Sequence, residues 1–267
     1  MTATDIQSQF VEMSHGRTRY YEAGSGPAVV LIHGAGFLSG AHSWLPVIPH
    51  LAEHFHLYAI DCLGFGLSDG LEQPYSFGYL VDHIREFQDV IGLDHSHVIG
   101  HSMGGWLGTL LAYESPGRVE RYVNISGGGT ATRPLTGMVN WTPPADEDIR
   151  TAIGRLQGTD VDLDELAEAL VQRAHDEVST RHFRSLMDHM TNPETRARYN
   201  TLRRMPHITS PTLVLWGSND QTNALEMGEK THDLIPGSKM TVFDGAGHGL
   251  PAERPLEFSE EVTGFLS

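Results

Sequence analysis

Cys62 is the only cysteine in the chain, so no intramolecular disulfide can form and nothing in the sequence asks for an oxidising compartment. Cations are scarce as well. Lys and Arg number 18 against 34 Asp and Glu, giving a formal charge of -16 and a pI near 5.3. Without clustered Lys or Arg, that balance argues against a nucleic-acid partner, and the acidic surface favours solubility. No apolar run approaches the roughly 18–20 residues of a membrane span. Residues 1–10 are polar and lack a basic start followed by an apolar stretch, so no signal peptide is expected and a cytoplasmic location is the default.

What is present describes a globular chain: 267 residues, 39% hydrophobic and 19% charged, enough for one large α/β domain or one domain carrying an insertion. The continuous apolar run at 28–32 reads as a strand buried on both faces, and 56–60, 97–99, 121–125, 212–216 and 239–243 read as further strands. Helical spacing at Trp44, Val47, Ile48 and Leu51, and again over 79–91 and 105–113, places helices between them. Alternation of this kind predicts a mainly parallel sheet flanked by helices. It lapses between about Gly127 and His207, where helical patterns at 162–176 and 179–189 occur without a buried strand. The expected organisation is therefore a core domain of 1–126 and 208–267 with a helical cap, 127–207, over the C-terminal ends of the strands.

The segment Val98-Ile99-Gly100-His101-Ser102-Met103-Gly104-Gly105 carries the most chemistry. An apolar run feeds a Gly-x-Ser-x-Gly turn that opens into a helix, the layout of a nucleophile elbow. Side chains at Gly100 or Gly104 would collide with so sharp a bend, and Ser102 would sit in a strained backbone conformation. A serine hydroxyl needs a base, and the base needs a group to orient it. Gly217-Ser218-Asn219-Asp220 follows one strand and Asp244-Gly245-Ala246-Gly247-His248-Gly249 follows the last. Ser102, Asp220 and His248 thus stand in the order expected of a triad on this fold. Backbone N–H groups of Met103 and, from the loop His33-Gly34-Ala35-Gly36, of Ala35 are the candidate oxyanion donors. His33 is expected to orient that loop. The 16 histidines include the pairs His54/His56 and His95/His97, but neither pair has a third ligand at a characteristic spacing, so no metal site is expected.

Together with Asp61 and Gly64-Phe65-Gly66-Leu67-Ser68-Asp69, these segments resemble the α/β-hydrolase superfamily over nearly the whole chain. Within it, the elbow run, Leu63 to Gly66, Thr142-Pro143-Pro144, and Asp162 to Leu166 followed by Arg173 resemble the meta-cleavage-product hydrolases, which cut a carbon–carbon bond in ring-fission products of aromatic catabolism. The resemblance implies an α/β-hydrolase fold with a helical lid, no cofactor, and a small-molecule 2-hydroxy-6-oxo-dienoate substrate. It also implies that Arg173 binds the dienoate carboxylate, with His101, Gly34, Ser43 and Gly249 as further substrate-binding residues. A homodimer or larger homo-oligomer fits the family. Three departures fall around the substrate pocket: His101 where the family usually has Asn, Gly249 where it has Trp, and Phe37-Leu38 where Pro-Gly is frequent. His101 is common before the nucleophile in esterases, so a carboxylesterase or lactonase with the same triad is the alternative. A ligand-sensing receptor on the same scaffold is the second.

Overall fold

The computed structural model describes residues 5–131, 136–139, 141–156 and 161–267, which leaves residues 1–4 of the polar start outside the described set. Two strands that the apolar runs do not announce come first, β1 (Gln7–Met13) and β2 (Gly16–Gly24). They form an antiparallel hairpin at the edge of the sheet, and in β1 exposed residues, Phe10 among them, alternate with the half-buried Gln9 and Val11 and the buried Met13. The apolar runs then follow as β3 (Ala28–Ile32), β4 (His56–Ile60), β5 (Ser96–His101), β6 (Val119–Ile125), β7 (Thr212–Gly217) and β8 (Lys239–Phe243). Their order across the sheet is β1-β2-β4-β3-β5-β6-β7-β8, antiparallel at the β1/β2 and β2/β4 pairs and parallel elsewhere.

Successive residues of a strand face opposite sides, and the core divides accordingly. Val30, Ile32, Tyr58, Ile60 and Val98 join one apolar cluster, while Val29, Leu31, Leu57, Ala59 and Ile99 join the other. The helices are α1 (Ile48–Leu51), α2 (Phe77–Val90), α3 (Met103–Glu114), α4 (Thr136–Val139), α5 (Asp146–Gly154), α6 (Leu163–His175), α7 (Glu177–Thr191), α8 (Pro193–Tyr199), α9 (Leu225–Leu234), α10 (Leu250–Glu253) and α11 (Pro255–Leu266). The helix expected over 44–54 is broken up. Pro46 and Pro49 confine it to a 3-10 turn, Ala41–Trp44, and the single α-turn of α1, although Trp44, Val47, Ile48 and Leu51 are all buried.

Between β6 and β7 the described residues hold helices and turns and no strand. Short polar side chains set where these helices begin. Asp162 accepts the Glu165 amide at 2.9 Å, Asp176 that of Ser179 at 2.7 Å, and Asn192 those of Glu194 and Thr195 at 2.8 and 3.1 Å. Among the described residues no helix is long and apolar enough to cross a membrane.

One buried ion pair fixes the front of the sheet. The Arg19 guanidinium grips the Asp61 carboxylate through Nε and Nη2 at 2.6 and 3.0 Å, and Asp61 also accepts the Ala41 and Leu67 amides at 2.5 and 2.7 Å. Burial alone would raise the Asp61 carboxyl, but Arg19 outweighs it and holds the group below the usual carboxylate range. The turns after β3 and β4 are thereby tied to one charge.

Candidate active site

The elbow is built from three crowded glycine contacts. A Cβ on Gly100 would meet the Gly104 carbonyl, one on Gly104 would meet the carbonyl of Ile32, and one on Gly105 would lie 2.8 Å from Gly127 Cα. Only hydrogen fits there. Between β5 and α3, Ser102 takes φ 55° and ψ -109°, a conformation L-residues rarely adopt. Its amide donates to Ile125 O at 2.8 Å, and its carbonyl accepts Trp106 N and Gly128 N at 3.1 and 3.2 Å. These bonds hold the strained residue at the start of α3.

The two distant loops converge on it. Ser102 Oγ donates to His248 Nε2 at 3.0 Å, and His248 Nδ1–H donates to Asp220 Oδ2 at 2.8 Å. The Asp220 side chain is fully buried, and its other oxygen accepts the Thr222 and Asn223 amides at 2.8 and 2.9 Å. Burial would raise this carboxyl; the hydrogen bonds from His248 and the Asn223 amide more than offset that and keep it ionised. A hydroxyl, an imidazole and a buried carboxylate are therefore linked by two hydrogen bonds. That arrangement can draw a proton from a hydroxyl as it attacks a carbonyl.

His101 and His33 lie alongside, and both are neutral. Burial first, and then the neighbouring His248, push His101 down to about 4; burial likewise takes His33 to about 4. His33 Nε2 accepts the Cys62 amide at 2.9 Å, which leaves Nδ1–H to donate to Gly34 O at 2.7 Å, so this ring braces the loop carrying Ala35. His101 Nε2–H donates to His248 O at 2.7 Å and so braces the loop that carries His248.

A cavity of about 400 Å³ opens on Ser102. Gly34, Ala35, His101, Met103 and His248 line it near the serine, and Trp106, Met190, Arg196 and Met227 line it elsewhere. Met103 is the first residue of α3, where an amide has no intrahelical acceptor. A second cavity of about 230 Å³ shares Gly34, Ser39 and His101 with the first and adds Ser43, Trp44 and Gly249. Of the expected substrate-binding residues, His101 and Gly34 thus border both spaces, while Ser43 and Gly249 border only the second.

Arg173 borders neither, which corrects its expected place. Arg173 follows the stripe of Leu166 and Leu170 on the buried face of α6, so its side chain enters the core. There the guanidinium donates to Phe37 O at 3.1 Å and to Gly64 O, and lies 4.4 Å from the Phe37 ring centroid. Its donors clasp the loops after β3 and β4. Sequence reasoning also passed over Glu253, whose carboxylate accepts the Gly247 and Gly249 amides on either side of His248 at 2.7 and 3.0 Å. The available signal was an acid in the first turn of a helix just after the histidine, a position where carboxylates meet free amides.

Residues 27–255 match the family described as alpha/beta hydrolase fold. The chain belongs to that family. Over 283 aligned residues, 97% of this chain and 95% of the relative, it is 29% identical to the 2-hydroxy-6-oxononadienedioate/2-hydroxy-6-oxononatrienedioate hydrolase of Cupriavidus pinatubonensis. It is also 29% identical, over 97% of its length and 90% of the relative's, to the 2-hydroxy-6-oxo-6-(2'-aminophenyl)hexa-2,4-dienoic acid hydrolase of Metapseudomonas resinovorans. Among solved structures, a mutant of the meta-cleavage product hydrolase CumD of Pseudomonas fluorescens IP01, complexed with acetates, superposes with a TM-score of 0.80 at 25% identity, covering 99% of this chain and 98% of that one. This alpha/beta hydrolase is thus similar along its whole length to enzymes named for cleaving meta-cleavage products.

Proposed function

We propose that this protein is a cofactor-independent serine hydrolase that cleaves a carbon–carbon bond in a 2-hydroxy-6-oxo-dienoate or a close relative. The observation that carries the reading is the hydrogen-bonded line from Ser102 through His248 to Asp220, opening on a cavity large enough for such a molecule. After the dienol ketonises, Ser102, or a water activated by His248, adds to the C6 carbonyl while His248 Nε2 takes the proton. The Ala35 and Met103 amides hold the oxyanion. The C5–C6 bond then breaks, its electron pair goes to C5, and His248 returns the proton there. If an acyl-enzyme has formed, water adds to it, again with His248 as base, and releases the second acid and the serine.

The first test is Ser102→Ala. This variant is expected to fold with an unchanged circular-dichroism spectrum and to lose turnover of a yellow dienoate substrate by at least about a thousandfold. Activity close to wild type would end the proposal.

A carboxylesterase or lactonase using the same three residues is the second reading. It is favoured by His101 before the serine and by Arg173 being spent on the Phe37 and Gly64 carbonyls. Comparing kcat/KM for a dienoate and for nitrophenyl esters separates the two.

A further inference from the structure

The loop that presents His248, Asp244-Gly245-Ala246-Gly247-His248-Gly249, has three glycines and no apolar side chain larger than alanine, so it has little packing of its own to fix the imidazole. Bonds from outside the loop must hold it. The Ser218 hydroxyl accepts the Gly245 amide at 2.8 Å, the Asn219 amide donates to Ala246 O at 2.9 Å, and His101 Nε2–H donates to His248 O at 2.7 Å. Glu253 does more. Its Oε2 accepts the Gly247 amide at 2.7 Å and its Oε1 the Gly249 amide at 3.0 Å, so one carboxylate grips the peptides on both sides of His248. The single turn of α10, closed by the Glu253 amide on Gly249 O at 3.0 Å, is what returns this acid to the loop. The fit is close: a Cβ built on Gly247 would lie 2.9 Å from Glu253 Oε1, and one built on Gly249 would lie 3.2 Å from it. Among the described residues, Ser218, His101 and Glu253 are the side chains that bond this backbone from outside, and only Glu253 carries a charge. Hydrogen bonds to an ionised acceptor are about twice as strong as neutral ones. The adjacent cation, Arg254, turns to Glu257 at 3.9 Å, which leaves the Glu253 oxygens to the two amides.

We infer that Glu253 is a positioning residue for His248: its two backbone hydrogen bonds hold the imidazole within reach of the Ser102 hydroxyl, and proton transfer between them depends on that clamp. This rests on the serine-hydrolase reading and adds to it a group outside the triad. Glu253 borders neither cavity, so its influence reaches the reaction through the loop's backbone and not through contact with substrate.

The test compares wild type with Glu253→Ala and Glu253→Gln in three measurements. The rate at which a fluorophosphonate labels Ser102 should fall about a hundredfold in Glu253→Ala, the order of loss that a displacement of about 1 Å produces. Such labelling needs an activated serine but no recognition of a particular substrate. On whichever of the dienoate and nitrophenyl esters is turned over, kcat should fall in proportion with KM little changed, the pattern of an impaired chemical step. Glu253→Gln keeps one acceptor oxygen and should lie between wild type and Glu253→Ala. The third measurement needs no turnover. The downfield proton resonance of His248 Nδ1–H, bonded to Asp220, should move or broaden in Glu253→Ala while the circular-dichroism spectrum stays that of wild type. Should Glu253→Ala fail to fold, Glu253→Gln decides by the same three measurements. Labelling and kcat equal to wild type in the folded variants, a loss confined to KM, or an unmoved His248 resonance would overturn the inference. A wild-type protein that is neither labelled nor active, with a His248 resonance that still responds to Glu253, would uphold the clamp and count against the serine-hydrolase reading.

Discussion

Ser102 combines two demands that a different side chain would separate. In the proposed reaction the hydroxyl serves the chemistry, while the backbone at φ 55° disfavours any side chain at all. Ser102→Gly should therefore be more stable than Ser102→Ala by about 1 kcal/mol, both being inactive, because glycine occupies this conformation without strain. Paired urea titrations check this, and equal midpoints would show the bend to be relaxed. At this scale the sequence was informative where a residue's type and its neighbours suffice. Ser102, Asp220 and His248 each follow a legible strand, and the fold brings all three together. Arg173 was misplaced because a sequence gives the helix but not the side of it that meets the cavity. The carbonyls of Phe37 and Gly64, which claim its guanidinium, carry no sequence signature. Arg173→Met should lower stability by about 1–3 kcal/mol through the donors withdrawn from those carbonyls. It should do so without changing any preference between anionic and neutral nitrophenyl esters, and a change in that preference would return Arg173 to the substrate.

Among the elements, the elbow depends on β5, α3 and the end of β3 approaching to hydrogen-sized distances. Gly104→Ala would push a methyl into the Ile32 carbonyl, and backbone on both sides has little room to yield. A loss of about 1–3 kcal/mol is expected, with turnover falling further than stability because the Met103 amide moves with the helix. Thermal melts and kcat on the same preparation check both parts. The central parallel strands were readable because burial on two faces makes runs such as Ala28–Ile32 and Thr212–Gly217 largely apolar, whereas the parallel edge strand β8 is mostly exposed or half-buried. The β1/β2 hairpin was not, since a half-exposed edge strand such as Gln7–Met13 carries too few apolar residues to stand out. The helices between β6 and β7 were legible where Asp162 and Asp176 mark their starts. Short α8 was missed, and with it the part of the cavity wall that Arg196 lines.

For the whole molecule, two effects pull stability in opposite directions as pH falls. Approaching the pI of 5.3 relieves the repulsion of a -16 surface, which favours the folded state. Against this, burial holds His33, His42, His83 and His101 neutral, with each pushed down to about 4. Between that value and the unfolded value near 6.5 the unfolded chain binds more protons, so stability rises with pH across this window. The contribution is complete above 6.5 and drains away as pH falls towards 4, at roughly 1 kcal/mol per pH unit for each ring. Exposed charges are screened beyond about 8 Å at physiological salt, so the histidines should win. Urea midpoints at about 0.15 M salt are expected to drop steadily from pH 6.5 to 4.5. Asp61 and Asp220, both lowered, add their loss only at more acidic pH. A maximum near the pI would mean that surface charge dominates.

Gly34, Ser39 and His101, with its imidazole ring, line both cavities. That same ring carries the bond to His248 O. Any mutation that trims it to join the chambers and admit a bulkier molecule also loosens His248, the proposed proton acceptor. Reach and rate are therefore coupled through one imidazole, and selection for larger substrates should favour changes at Ser39 before His101.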